Sequence, residues 1–569
     1  MILLGAAGTG KTTTIMVQEA LLEFFNCTGA MKKSAPTNAA ARLLKGNTLH
    51  ATYKLPQGSL HGKRGKLSAP VLKIFRRAWS GKEAHVIDEI SMVPPAHLYQ
   101  SEVRARTATG KLDMKWGGLA TELSGDFMQL PPIDVPSLAI PWEQLQTMIA
   151  ELEAAMPQKN KRKVLTEAEA LKKKQEDAEH RGGCELFNSI PLAVTLTLNM
   201  RTSGLLAQIL EEMRAESLTD GSWHALQDRV LGVLRVNGTL KPIPAGEPDP
   251  RLLQPPFSNN PINYVVHRHV VRVSQAYVAA VQESVARHVR FFVVTAVDEV
   301  KTEDETKFTD EEKLAALRVP NPRHTHYLSG HLPLYIGMSV LLFGKACVKL
   351  GLMNGCECEV VHIILADEED PLNAIRVGEP TALTYLPAGI VLRVKNADWK
   401  LPSSTMPPLP AGFDRRGVFV LHPSSNYFNF VTAKRETIGI RRTGFTILPA
   451  SVRIVYNAQG ESLSPLILDM ARPPKMDERI LWLACYVMLS RASSLKDLLI
   501  LRLPTREQLS LGAPAYLVDA IERLLQLERK SNALMKQHLQ QFCDVLPPEI
   551  LQLFDDNAET KDSYREPLF

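Results

Sequence analysis

Apolar residues open the chain without a break: Ile2-Leu3-Leu4 runs into a glycine-rich stretch over 5–10, after which Val17, Ala20, Leu21 and Phe24 recur at helical spacing. A short continuous apolar run bounded by glycine predicts a buried strand, and the 3.6-residue recurrence predicts a helix over 11–25. Strand, tight turn and helix in that order are the opening of a parallel α/β unit. A second apolar run, 84–87, stops at Asp88-Glu89. Its carboxylates are thereby predicted at the carboxyl edge of a sheet, where folds of this kind bind ligands.

Farther along, the pattern turns polar. Lys159, Lys161, Arg162 and Lys163 are followed by Lys172 to Lys174, and apolar residues are scarce from 158 to 183. This stretch is expected to be a solvated, charged helical insertion, with a nuclear-targeting or DNA-contacting patch as the alternative reading. Proline clusters at 242–256 and 402–410 mark connections between subdomains, and short β-prone runs fill the span from 332 to 394. Leu517, Ile521, Leu524 and Leu525 predict a packing helix over 515–542.

Composition narrows the class. A chain of 569 residues that is 45% hydrophobic and 22% charged can bury several cores, and is not a disordered one. The 66 Lys+Arg against 61 Asp+Glu leave a net charge of +5, which permits a nucleic-acid partner without requiring one. The 7 cysteines are scattered, and the closest pair, Cys356 and Cys358, has no second pair at zinc-site spacing, so reduced thiols of an intracellular protein are expected. No apolar run reaches the roughly 18 residues of a membrane span, and a soluble protein with no membrane partner is expected.

The candidate chemistry begins at once. Gly5 to Thr12, GAAGTGKT, fits the phosphate-loop pattern, in which Gly5, Gly8, Thr9 and Gly10 let backbone amides converge on phosphate oxygens at a helix N-terminus. Lys11 is positioned for the β and γ phosphates and Thr12 for Mg²⁺. Asp88 is the second candidate metal-site residue, and Glu89 the candidate to orient or deprotonate an attacking water. ATP and Mg²⁺ are therefore the expected cofactors.

The remaining motifs say what the nucleotide is used for. APTNAAA (35–41), TLHATYKLP (48–56), VIDEISMV (86–93), SGDFMQLPP (124–132), LNMR (198–201), AQGESL (458–463) and YVMLSRASSL (486–495) stand in this order. Together they resemble the petite-integration-frequency (PIF-type) DNA helicases, the RecD-like branch of helicase superfamily one. The resemblance implies an α/β P-loop fold with two RecA-like parallel-sheet lobes and a small SH3-like β insertion. The expected boundaries are 1–200 for the first lobe, 201–331 with 440–505 for the second, 332–439 for the insertion and 506–569 for a helical end.

Residue roles follow from the same resemblance. Gln129 is the expected γ-phosphate sensor, Arg201 and Arg491 the arginines that stabilise transition-state charge, and Gly460 a further nucleotide contact. Thr37, Thr48, His50, Gln459 and Ser462 are the expected DNA contacts or links between DNA and ATP. The implied activity is ATP-driven five-prime to three-prime translocation on single-stranded DNA and unwinding at duplex junctions, in replication, repair, recombination or telomere maintenance. The nucleus is the expected compartment and the mitochondrion the alternative. The alternatives in function are an impaired relative that binds DNA and nucleotide without unwinding, and a P-loop ATPase acting on protein partners. Three features depart from the family pattern: Asn38 stands where glycine is preferred, Tyr456-Asn457 replaces a histidine-bearing pair, and only Met1 to Leu4 precede Gly5, where the family carries an adenine-reading glutamine segment. Weak discrimination between ATP and GTP is the expectation that follows.

Overall fold

The computed structural model describes every residue except 57, 61–64, 134, 156–166, 301–304, 306–307, 345–349, 351, 353, 370–378, 396, 403, 405–412 and 541–569. Its first lobe follows from the apolar runs noted above. The lobe comprises β1 (Ile2–Gly5), α1 (Lys11–Phe24), β2 (Met31–Ala35), α2 (Asn38–Leu43), β3 (Asn47–Thr48), α3 (Leu49–Tyr53), α4 (Ala69–Trp79), β4 (Ala84–Ile87), α5 (Pro95–Thr109), β5 (Ala120–Gly125), α6 (Trp142–Ala155), α7 (Glu167–Asn188) and β6 (Ala193–Leu196). The sheet order is β3-β2-β4-β5-β1-β6, and all pairings are parallel. β1, β4 and β5 are therefore neighbours, and whatever follows their carboxyl ends shares one edge.

A second, four-stranded parallel sheet takes Val452–Ile454, Asn263–Val266, Leu466–Asp469 and Leu498–Arg502 in that spatial order. One buried apolar cluster runs from the first sheet, through Ile2, Leu4, Ile87 and Leu123, to the helix Glu478–Leu489 of the second lobe. The two sheets thus lean on a shared core.

The β-rich middle differs from its expected limits. A five-stranded antiparallel sheet orders Val418–Leu421, Gly389–Val394, Cys356–Ile364, Ser339–Leu342 and Ile447–Pro449. Its closing strand lies inside the stretch assigned by sequence to the second lobe. Thr437–Gly444 instead pairs with Ser424–Val431 on one side and Val297–Val300 on the other, in a separate sheet. Pairing partners so far apart leave no local mark, so a boundary drawn along the sequence misses them.

The helix expected over 11–25 forms as α1, but Val17, Ala20, Leu21 and Phe24 face outward, with Phe24 78% exposed, while Ile15 supplies its buried contact. Helical spacing identified the element and not the face that is covered. The charged stretch 158–183 is not wholly solvated either. Lys159, Lys161, Arg162 and Lys163 lie outside the described residues, but α7 packs on α5: a Cβ on Gly183 would fall 1.9 Å from the Pro95 carbonyl, and Glu179 is buried. Its carboxylate accepts hydrogen bonds from the Ser59 hydroxyl, the Leu60 amide and Gln100 Nε2. Such a buried anion is tolerated because donors surround it. Among the described residues, no helix is long and apolar enough to cross a membrane.

Candidate nucleotide cleft

The loop between β1 and α1 is shaped by its glycines. Gly8 and Gly10 adopt φ of 89° and 87°, the left-handed region that an L side chain resists. A Cβ on Gly8 would stand 2.5 Å from Arg201 Cβ and 2.6 Å from Asn199 Oδ1, so the segment carrying Arg201 docks against bare backbone. Gly10 is the N-cap of α1 and offers no capping side chain, leaving the first-turn amides free for an anion. Thr9 is buried and closes the turn by donating to the Ala6 carbonyl at 3.0 Å. The Lys11 ammonium donates to the carbonyls of Gly5 and Ala6, at 2.7 and 3.2 Å.

Asp88 and Glu89 follow β4 directly and are both buried. Burial, then the neighbouring Glu89, pushes the Asp88 carboxyl up to about 6, against the pull of Lys11. Its Oδ1 has no hydrogen-bond partner. Glu89 sits at φ 52°, a conformation that costs a non-glycine residue of order 1–3 kcal/mol and aims its side chain off the strand end. Gln129, beyond β5, donates from Nε2 to Asp126 Oδ2 at 3.2 Å, and its Oε1 is buried and unpartnered.

The second lobe completes the cleft. Gln459 Nε2 donates to Glu89 Oε2 at 3.0 Å. Arg201 Nη2 reaches the Gly460 carbonyl at 3.4 Å, and burial lowers its pKa while Glu89 opposes the shift. Arg491 is fully buried and donates to the Val487 and Glu461 carbonyls and to Ser490 Oγ. It makes no ion pair among the described residues, and burial, then Arg201, brings its guanidinium down to about 10. A buried arginine held only by neutral groups keeps its charge available for an anion.

Gly8, Gly10, Lys11, Thr12, Asp88, Glu89, Gln129, Arg201, Gly460, Ser462 and Arg491 line one cleft of about 300 Å³, and Gly5 and Thr9 shape the loop behind it. That volume is at the lower end of the range for small-molecule sites.

The five expected DNA contacts divide. Ser462 lines the nucleotide cleft and Gln459 binds Glu89, so both stand on the phosphate side. Thr37 and Thr48 cap α2 and α3, accepting from the amides of Ala40 and Ala51. His50 is exposed and meets His97 edge to face at 4.7 Å. Asn38, Arg42, Asn47, Thr48 and Asn354 line a second, small cleft that shares no residue with the first.

Sequence reasoning missed Asp126, Arg214 and Tyr486. Arg214 donates to Tyr486 Oη at 3.0 Å and stands 3.9 Å from Asp126 Oδ2, linking the Gln129 loop to the second lobe. Asp126 and Tyr486 lie inside motifs already noted; Arg214 lies in none.

Residues 1–195, which hold the phosphate loop, Asp88, Glu89 and Gln129, match the sequence model of the PIF1-like helicases. This first part of the chain is similar to the PIF1-like helicases. Among curated relatives, the chain is 30% identical over 138 residues to the ATP-dependent DNA helicase PIF6 of Trypanosoma brucei brucei, covering 24% of this chain and 17% of that protein. It is 32% identical to Pif1 of Bdellovibrio bacteriovorus over 139 residues, 23% of this chain and 29% of the relative. It is 33% identical to RRM3 of Saccharomyces cerevisiae over 131 residues, 23% and 18% of the two chains. The matched stretch thus spans less than a third of each of these relatives. The fold likeness is broader: Pif1 helicase from Bacteroides, solved with ADP-AlF3 and single-stranded DNA, aligns over 93% of both chains with a TM-score of 0.53 at 19% identity.

Proposed function

We propose that this chain is an ATP-dependent DNA helicase, coupling ATP hydrolysis to five-prime to three-prime movement on single-stranded DNA and to separation of duplex junctions. The observation that carries the reading is the meeting of Gln459 and Arg491, from the second lobe, with Glu89 and the phosphate loop of the first in one cleft. A cleft closed by residues of two lobes changes shape when its ligand is hydrolysed, which is what a translocating motor needs.

In this reading the α1 amides and Lys11 bind the phosphates. Thr12 and Asp88 would hold Mg²⁺; the orphaned, buried Asp88 Oδ1, in the cleft that Thr12 also lines, fits a hard cation that takes few protein ligands and keeps several waters. Bound there, Mg²⁺ would neutralise charge on the β and γ phosphates. Glu89 orients the attacking water, and Arg201 and Arg491 stabilise charge on the transferred group. Gln129, through Asp126 and Arg214, and Gln459, through Glu89, carry the state of the nucleotide between lobes.

The DNA side rests on Thr37, Thr48, His50, Arg42 and Asn47, with the threonines positioning α2 and α3. The named activity of the relatives, and the strand bound in the Bacteroides structure, support this reading. Roles in repair, recombination, replication or telomere maintenance, in the nucleus or mitochondrion, belong to the same proposal.

The test is steady-state ATP hydrolysis with and without single-stranded DNA, together with strand release from a forked duplex. Stimulation by DNA and ATP-dependent release are expected. Hydrolysis indifferent to DNA, with no strand retained on a filter, would overturn the proposal and favour an ATPase acting on protein.

A further inference from the structure

Glu461 is shared between the lobes. Its Oε2 lies 2.9 Å from Nε of Arg453, on the strand Val452–Ile454 of the second sheet, and its Oε1 lies 3.8 Å from Nη2 of Arg42, in the last turn of α2 in the first lobe. The two arginines hold it unequally. The Arg453 side chain is 9% exposed and is itself fixed by Asn263 Oδ1 at 3.2 Å, whereas that of Arg42 is 38% exposed and its pair with Glu461 is long. An exposed pair at that separation is weak and yields readily to a better-matched anion.

The backbone around Glu461 clasps the nucleotide cleft. Its carbonyl accepts from Arg491 Nη1 at 3.2 Å, the Gly460 carbonyl accepts from Arg201 Nη2 at 3.4 Å, and Gln459 donates to Glu89 at 3.0 Å. Residues 459–461 thus touch Glu89, Arg201 and Arg491 in turn, and Arg42 ties that segment to α2. Arg42 also lines the second cleft, with Asn38, Asn47 and Thr48. A guanidinium fork there suits the oxygens of a phosphate better than a carboxylate 3.8 Å away.

We infer that Arg42 is a positioning residue that exchanges Glu461 for a phosphate of the bound strand, and that this exchange reports strand occupancy to residues 459–461. The inference rests on the helicase reading above and names the regulation of its nucleotide cleft. Without a strand, Arg42 anchors the segment to the first lobe. With one, the anchor is released, Glu461 stays on Arg453, and 459–461 move with the second lobe. A strand shifts the cleft in this way because its phosphate engages Arg42 only in the released state.

The experiment uses the full chain and measures steady-state ATP hydrolysis without DNA and with saturating oligothymidylate, together with the affinity for that oligothymidylate as salt is varied. Arg42→Gln is expected to raise DNA-free hydrolysis by about three- to tenfold and to keep the DNA-saturated rate within about twofold. It should also lower the slope of log affinity against log salt by about 0.7, the share of one phosphate contact on a single strand. Arg42→Lys keeps the charge and should restore the slope. Glu461→Gln should raise DNA-free hydrolysis as Arg42→Gln does and leave the slope unchanged; because it deprives the buried Arg453 of its anion, Arg42→Gln decides alone if that variant does not fold. An unchanged DNA-free rate or an unchanged salt slope in Arg42→Gln would overturn the inference. A wild-type chain whose hydrolysis ignores DNA would instead overturn the helicase reading itself, and this inference with it.

Discussion

Gln459 donates a hydrogen bond to the carboxylate of Glu89 at 3.0 Å, although the two residues are 370 positions apart. The bond crosses from the second lobe to the residue proposed to orient the attacking water. It makes the orientation of Glu89 depend on how the lobes sit. Gln459→Ala should therefore lower DNA-stimulated turnover by roughly tenfold or more, the loss expected when a catalytic base is poorly held. ATP affinity should stay within about twofold, since the phosphate contacts are elsewhere. Turnover assays with and without DNA, paired with nucleotide titration, check both halves; full DNA stimulation in the variant would count against the coupling role.

Glu89→Gln keeps the shape of the side chain and removes its basicity. Hydrolysis should fall by about 10² or more, while ATP still binds. Single-turnover kinetics would show tight binding with slow product formation, and wild-type rates would displace Glu89 from its proposed role.

Arg491 is fully buried on backbone carbonyls and Ser490. Arg491→Lys retains the charge and loses the fork of donors, so kcat should drop by about 10³ with little change in affinity for single-stranded DNA. A melting curve accompanies the assay; a folded variant with normal turnover would remove Arg491 from the cleft chemistry.

Gly8→Ala places a Cβ against Arg201 and Asn199 at a φ of +89°. The 199–201 segment must then lift from the phosphate loop, and affinity for ATP and for tripolyphosphate should both fall by an order of magnitude or more. Calorimetric titration of the two ligands checks this, and unchanged affinity for both would count against the docking of 199–201 on the loop.

Burial raises the Asp88 carboxyl to about 6, above its ordinary value of 3.8. Between those values the folded chain binds the proton more tightly than the unfolded chain, so stability contributed at this site falls as pH rises from about 4 to about 6. Asp88→Asn should flatten that slope in chemical denaturation at pH 4.5 and 6.5. Activity runs the opposite way, since the carboxylate form is the one proposed to serve Mg²⁺. Turnover should decline as pH falls through about 6, and a flat profile down to pH 5 would argue against ionised Asp88 as a participant.

Local sequence determined the nucleotide-binding half of the site. Ile2-Leu3-Leu4, the glycines at 5, 8 and 10, and the run ending in Asp88-Glu89 state strand, turn and strand end within a few residues of each other. The parallel order then brings those ends to one edge. What the tertiary structure decided is everything that depends on partners distant in the chain. Gln459 meets Glu89 because the fold of the second lobe brings it there across 370 positions of sequence. Arg214 joins Asp126 to Tyr486 without belonging to any motif. The Val17, Leu21 and Phe24 stripe looks like a core face by spacing and is exposed. Periodicity fixes which residues share a side of a helix; only the packing of other elements determines whether that side is covered, and that packing has no local signature in the sequence.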